Sequence, residues 1–471
     1  MKDSNNNQVI ALGAMVLLLA AALMVGGGGT SGGGAASSNE RLAAVETGGD
    51  HIGSSELATR ILAGGQGMLL VDVRPADEYA AFHLPRAVNM TVPTVTADAM
   101  LPQLRQQELV VLYSNGPAHP AQAWVELTRK GLTNVRVLDG GLEQFRAEVL
   151  TPVSLREGGD EVAAKEDAAR MALVRAFFLH PVAAGTKLHW SKDPAELAAP
   201  TVVSPSWLAE RLGKVAVLDA RASGSEYSAL HVPGAVFFPV KPLRKEHGSN
   251  GPLFLEEPAV IADALGKAGV GNDTPVVIYA EEKMQDATLA ALAMMHVGHR
   301  KLAILEGGLL RWAAEQRPLV AAVPSPAPVA YAPRAGADNF TIDATELHAS
   351  LAKGMQVLDV RPADFFRGEK STEARPGHIP GAKNRLYKQD LVRTDDGQYW
   401  RAPDELAREY AALGLVKDAP LTVSCRTGHT ASESFFVLRY LLGYDNVRWY
   451  NGSWTDWAER KELPAAMGDG Q

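Results

Sequence analysis

The chain has 471 residues, 46% of them hydrophobic and 21% charged, with a formal net charge of −8 and a single cysteine. This is the composition of a globular protein, long enough for about three domains at roughly 150 residues each. No basic stripe is present for a nucleic acid, and one cysteine excludes an intramolecular disulfide and any Cys-x-x-Cys redox or zinc site.

The first element in chain order is an uncharged run of 17 residues, Val9 to Val25, at the lower limit of the ~17–25 residues that span a bilayer. Lys2 precedes the run and no basic residue follows until Arg41. That asymmetry puts the N-terminus in the cytoplasm and the rest outside it. Two readings stand: an uncleaved signal anchor, or a signal peptide cut near Ala35-Ala36. The length of the run and the Gly-rich spacer Gly26 to Gly34 favour the anchor. Residues 1–36 are then tether and spacer, and in a Gram-negative host the folded part is periplasmic, held at the inner membrane by residues 9–25.

From about Ser54 one pattern occurs three times, and internal repeats set the architecture before any other feature. Each copy begins with an apolar strand ending in Asp-x-Arg: Leu69 to Arg74, Val217 to Arg221 and Val357 to Arg361. A His-x-Pro turn follows at His83, His231 and His378, then a second apolar strand at Leu109–Tyr113, Pro275–Tyr279 and Leu421–Ser424. Each copy closes with Gly-Gly or Gly-Ser and an aromatic five residues on, at Gly140, Gly307 and Gly452. Strands alternating with helical stretches imply βαβ units and a mainly parallel, helix-covered α/β sheet in each copy.

Composition shifts place the copies at residues 51–150, 201–320 and 339–466. Residues 151–200 form a linker with a charged helical segment, Glu157 to Phe178, and residues 321–338 a Pro/Ala-rich, semi-stiff linker.

Aligning the second strand and the closing glycine puts Ser114, Ala280 and Cys425 at one loop position. Only the third copy carries a thiol. The second has Glu281 and Glu282 where an anionic substrate would sit. The first offers Ser114 with His119, but no Gly-x-Ser-x-Gly elbow, and a serine oxygen is too hard and too little ionised to carry sulfur. The first two copies therefore read as scaffold or binding modules.

Cys425 sits in a strand-to-helix turn, Ser424-Cys425-Arg426-Thr427-Gly428-His429-Thr430-Ala431, ahead of an amphipathic helix from Ser432 to Leu442. Unpaired loop N–H groups and the helix dipole favour a thiolate there. Arg426 and His429 add positive charge, Thr427 and Thr430 can donate hydroxyl hydrogen bonds, and Gly428 permits a backbone that a side chain would block. Such a loop can stabilise an anionic sulfur with neither metal nor cofactor.

The strand, the Cys-Arg-x-Gly-x-Thr loop, the helix, Gly443 to Val447, and Asn451 to Trp457 together resemble the catalytic half of a rhodanese, a thiosulfate or 3-mercaptopyruvate sulfurtransferase. The resemblance implies three tandem rhodanese-like domains with only the last catalytic. It implies a Cys425 persulfide formed from a small anionic donor and discharged to cyanide, a thiol or an acceptor protein, in ping-pong fashion. It carries substrate binding over to Arg361 and Arg367, against which stands an ion pair of Arg361 with Asp359 or Asp364 at the strand end; from the residues themselves, Asp359 reads as a loop brace and His378 as a turn residue. It also implies that the second repeat packs on the third, with the site near their interface.

Cys-Arg-x-Gly-x-Thr is the family's thiosulfate pattern, and a guanidinium fork suits a compact dianion; 3-mercaptopyruvate remains the alternative donor. A phosphatase of related fold needs an arginine at Ala431. A tethered sulfur carrier without turnover is the non-enzymatic alternative.

Overall fold

The computed structural model describes residues 50–152, 161–186, 188–248, 251–281 and 283–469. The run Val9 to Val25 lies outside them, and among the described residues no helix is long and apolar enough to cross a membrane. The chain divides into two compact units, residues 1–159 and 160–471.

The first unit holds one sheet of β1 (His51–Ile52), β2 (Met68–Asp72), β3 (Val88–Asn89), β4 (Leu109–Tyr113) and β5 (Val135–Leu138), in the order β1-β5-β4-β2-β3. All its pairings are parallel. The near-continuous apolar runs of β2 and β4 fit strands covered on both faces. Val71, Val110 and Leu112 pack with Leu104, Trp124 and Leu127 from the helices.

In the second unit come β6 (Thr201–Val203), β7 (Ala216–Asp219), β8 (Ala235–Phe237), β9 (Arg244–Glu246), β10 (Pro252–Leu255), β11 (Val276–Tyr279) and β12 (Leu302–Leu305). They are followed by β13 (Thr341–Ile342), β14 (Gln356–Asp359), β15 (Lys383–Asn384), β16 (Leu391–Thr394), β17 (Gly397–Trp400), β18 (Leu421–Ser424) and β19 (Val447–Tyr450). Two further five-stranded parallel sheets result, β6-β12-β11-β7-β8 and β13-β19-β18-β14-β15, each with the strand order of the first. Each also has an antiparallel hairpin of its own, β9–β10 and β16–β17.

Repeats two and three share one core. The helix Met284–His296 lies against the helix His429–Phe436, where Leu289, Met295, Phe435 and Phe436 are buried in one cluster and Thr288 meets Ser432 hydroxyl to hydroxyl at 2.8 Å. The hairpins cross reciprocally. From β16–β17, Gln398 accepts the Met284 N–H (3.2 Å) and Asp396 pairs with Arg311 (2.7 Å). From the β9–β10 hairpin and its turn, Arg244 donates to the carbonyl of Thr427 and His247 pairs with Glu459 at 2.9 Å.

The segment expected to link the first two repeats holds the helix Glu161–Leu179, whose Leu173, Val174, Phe177 and Phe178 are buried. Apolar side chains of this size are more stable against a core than in water, and the helix packs on repeat two, where Gln316 donates to the Phe177 carbonyl.

Candidate active site

The site is built at the C-terminal end of β18, which runs parallel to β14 with Ser424 opposite Asp359. Cys425 follows as the free thiol, 2% exposed. Gly428 opens the helix His429–Phe436 at φ +82°, and a Cβ there would stand 2.5 Å from the Asn451 carbonyl oxygen. The close approach therefore demands glycine. Trp449 Nε1 donates to the Gly428 carbonyl (2.9 Å), and the N–H groups of Trp454 and Thr455 donate to the carbonyls of Cys425 and Arg426, each at 3.0 Å.

The repeats differ at one clamp. The position held by Gly141 and Gly308 in repeats one and two, at φ +64° and +61°, is Ser453 in repeat three, at φ +51°. Its hydroxyl accepts the Cys425 N–H (3.1 Å) and donates to the Tyr450 carbonyl (2.8 Å). Left-handed backbone in a non-glycine residue is costly and marks a special local role.

A carboxylate stands beside both Arg426 and His429. Arg426, 44% exposed, donates through Nε to Glu373 at 2.5 Å, and Glu373 is also held by the Thr455 hydroxyl at 2.8 Å. Burial pushes the Glu373 carboxyl up, but hydrogen bonds from Thr455, Arg426 and Thr372 outweigh it, and the net displacement is downward. His429 Nε2 lies 2.7 Å from Asp286 of repeat two, near enough to pair yet not aligned as a hydrogen bond. Thr427 and Thr430 are half-buried, and neither hydroxyl has a partner among the described residues.

Arg361 is buried, bidentate on Asp359 (2.6 and 3.0 Å) and donating to the Gly377 carbonyl (2.8 Å), with its guanidinium 5.0 Å from the Trp454 ring centre. The same bracing recurs in Asp72–Arg74 and Asp219–Arg221. It is therefore a fold element of every repeat, with or without a thiol. The distinction lies at Nη1. Arg74 gives it to Asn115 (3.1 Å) and Arg221 to Glu281 (3.4 Å), both the residue after the loop position. In repeat three that residue is Arg426, which cannot accept, and Arg361 Nη1 has no acceptor among the described residues. Arg367 is not brought to the loop: it pairs with Glu369 (2.6 Å), and none of its partners is a loop residue. His378 is fully buried, bonds the Phe366 carbonyl through Nδ1 (2.8 Å) and stacks on the Phe366 ring. Burial pushes its pKa down, which favours a neutral turn residue.

Sequence reasoning missed three neighbours: Ser453, Glu373 and Arg244. The Gly-Ser that replaces Gly-Gly was a legible signal for the first. Arg244 bonds Thr427 across 183 residues of sequence, and nothing local announces it.

Three sheets of identical strand order, each with the same Asp-x-Arg brace, define a tandem α/β repeat protein with a thiol in its third repeat. The model of the rhodanese-like domain matches residues 54–148, 204–315 and 343–460, and the chain belongs to that family. It is 32% identical over 285 residues to the sulfur carrier protein TtuD of Thermus thermophilus, covering 57% of this chain and 97% of that one. Over 282 residues it is 34% identical to the 3-mercaptopyruvate sulfurtransferase of Escherichia coli (56% and 96%). Over 284 residues it is 32% identical to the thiosulfate sulfurtransferase of Gallus gallus (56% and 96%). An anaerobic ergothioneine biosynthesis enzyme from Chlorobium limicola shares the fold with a TM-score of 0.52 at 20% identity, over 89% of this chain and 99% of that one.

Proposed function

We propose that the chain is a thiosulfate sulfurtransferase in which repeat three is catalytic and repeats one and two are not. One observation carries the reading. The loop that holds Ser114 and Ala280 in the other repeats holds the sole thiol in repeat three, and there the Arg361 guanidinium is released from its loop partner. Attack of the Cys425 thiolate on the outer sulfur of thiosulfate breaks the S–S bond, expels sulfite and leaves a cysteine persulfide. Cyanide or a thiolate then attacks the terminal sulfur and restores the thiolate. Both steps are displacements in which charge is conserved, so the loop has only to hold an anionic sulfur. Arg361 Nη1 and the free hydroxyls of Thr427 and Thr430 supply donors for a compact dianion. A thiol only 2% exposed also suits a small donor.

The test is cyanide-dependent thiocyanate release by the purified chain with thiosulfate and with 3-mercaptopyruvate, against Cys425→Ser, alongside mass spectrometry for a gain of one sulfur. Turnover with thiosulfate, lost in the variant, supports the reading. Preference for 3-mercaptopyruvate replaces the donor. The relative named a sulfur carrier supports a second reading, in which one equivalent of persulfide forms without turnover and passes to a partner protein.

A further inference from the structure

Arg244, on the first strand of the repeat-two hairpin, is 6% exposed. One nitrogen, Nη2, donates to two carbonyls, that of Leu253 in its own hairpin and that of Thr427 in the cysteine loop. Its buried Nε–H has no acceptor, and no carboxylate pairs with it among the described residues. Every other buried arginine described here, Arg74, Arg221, Arg311, Arg361 and Arg385, has a carboxylate partner. A buried cation without a counter-charge is strongly disfavoured. Burial accordingly pulls the Arg244 pKa down to about 10, and the one charge that opposes this is that of Cys425.

The pseudo-symmetry of the two repeats isolates the residue further. Leu255 faces Arg244 in one hairpin as Trp400 faces Leu391 in the other. The N–H groups of Glu256 and Arg401 close the two hairpins alike, on Leu243 and Asp390. The hairpin that reaches the thiol loop thus carries arginine where the hairpin that reaches the thiol-free loop of repeat two carries leucine.

We infer that Arg244, supplied by the repeat that lacks a nucleophile, is the resident counter-cation of the Cys425 sulfur in its thiolate and persulfide states. The inference deepens the proposed function and explains why the catalytic repeat is covered by an inactive one. Arg426 points its charge at Glu373 and Arg361 at Asp359, while the His429 ring lies against Asp286. The Tyr387 hydroxyl, which also feels Cys425, is neutral, with its pKa pushed up first by burial. Among the described residues Arg244 is the buried arginine left without a carboxylate.

With one cysteine in the chain, ultraviolet thiolate absorbance against pH reports Cys425 alone once the Cys425→Ser spectrum is subtracted. An ordinary thiol titrates near pH 8.5. In Arg244→Met the midpoint is expected to rise by at least one unit, a tenfold smaller thiolate fraction below the midpoint, while Arg244→Lys stays within half a unit of the parent. A midpoint unchanged in folded Arg244→Met overturns the inference. Should that variant fail to fold, Arg244→Gln, neutral but still able to donate to Leu253 and Thr427, carries the same comparison. The titration uses no sulfur donor. An Arg244-dependent midpoint without thiosulfate turnover refutes the proposed reaction and leaves this inference standing; turnover with a midpoint blind to Arg244 does the reverse.

Discussion

The Ser453 hydroxyl accepts the N–H of Cys425 at 3.1 Å from a backbone held at φ +51°, where the other two repeats have glycine. The cost of that conformation, about 1–2 kcal/mol, is offset by two hydrogen bonds worth about 1 kcal/mol each. Ser453→Ala loses both bonds and keeps the strain, whereas Ser453→Gly loses both and relieves it. Urea unfolding should order stability as parent, then glycine, then alanine, with alanine down by about 1–3 kcal/mol. Both variants should lower kcat, because the clamp fixes the main chain that carries the thiol.

Glu373 neutralises the cation nearest the thiol in sequence. Glu373→Gln should free Arg426, whose own side chain is 44% exposed, and lower KM for thiosulfate by about two- to fivefold, the range of a solvent-screened pair, with kcat little changed. The same variant has a pH signature. The Glu373 pKa is depressed in the fold, so its contribution is present above the ordinary value of 4.5 and lost as pH falls through the lower folded value. Thermal melts of the Gln variant should therefore flatten on the acid side.

Glu433 follows the loop on the same helix and is fully buried, accepting from Trp400 Nε1 at 2.7 Å. Burial, and then the negative charge of Asp390, push its pKa well up. A raised carboxyl pKa stabilises the fold fully below the unfolded value, and that contribution is lost as pH rises through the folded value. Glu433→Gln, which never ionises, should gain on the parent by up to about 1.4 kcal/mol per pH unit in that window. Unfolding measured from pH 5 to 9 checks it; parallel curves would show that Glu433 is already charged in the fold.

Because one apolar cluster runs through repeats two and three, residues 161–471 should melt in a single cooperative transition. The fragment 339–466 alone bares the buried face of the helix His429–Phe436 and should aggregate or bind ANS. Two separate transitions in 161–471 would contradict the shared core.

The sequence by itself determined the repeat, the strand-to-helix loop, the lone thiol and the Asp-x-Arg motif, because period, turn chemistry and the absence of competing cysteines are local properties of a chain. It offered Arg426 as the cation nearest the sulfur along the chain and, by resemblance, Arg361 and Arg367 as substrate-binding; which cations reach the sulfur, the tertiary structure decided. Glu373, from the segment ahead of the His378 turn, takes Arg426; Arg367 turns to Glu369; and Arg244 arrives from another repeat, carried by a hairpin that crosses the shared core. A charge acts through space, and its effect on an ionisable sulfur is set by burial and by which neighbours have already claimed it. Those conditions exist only once the two repeats have packed.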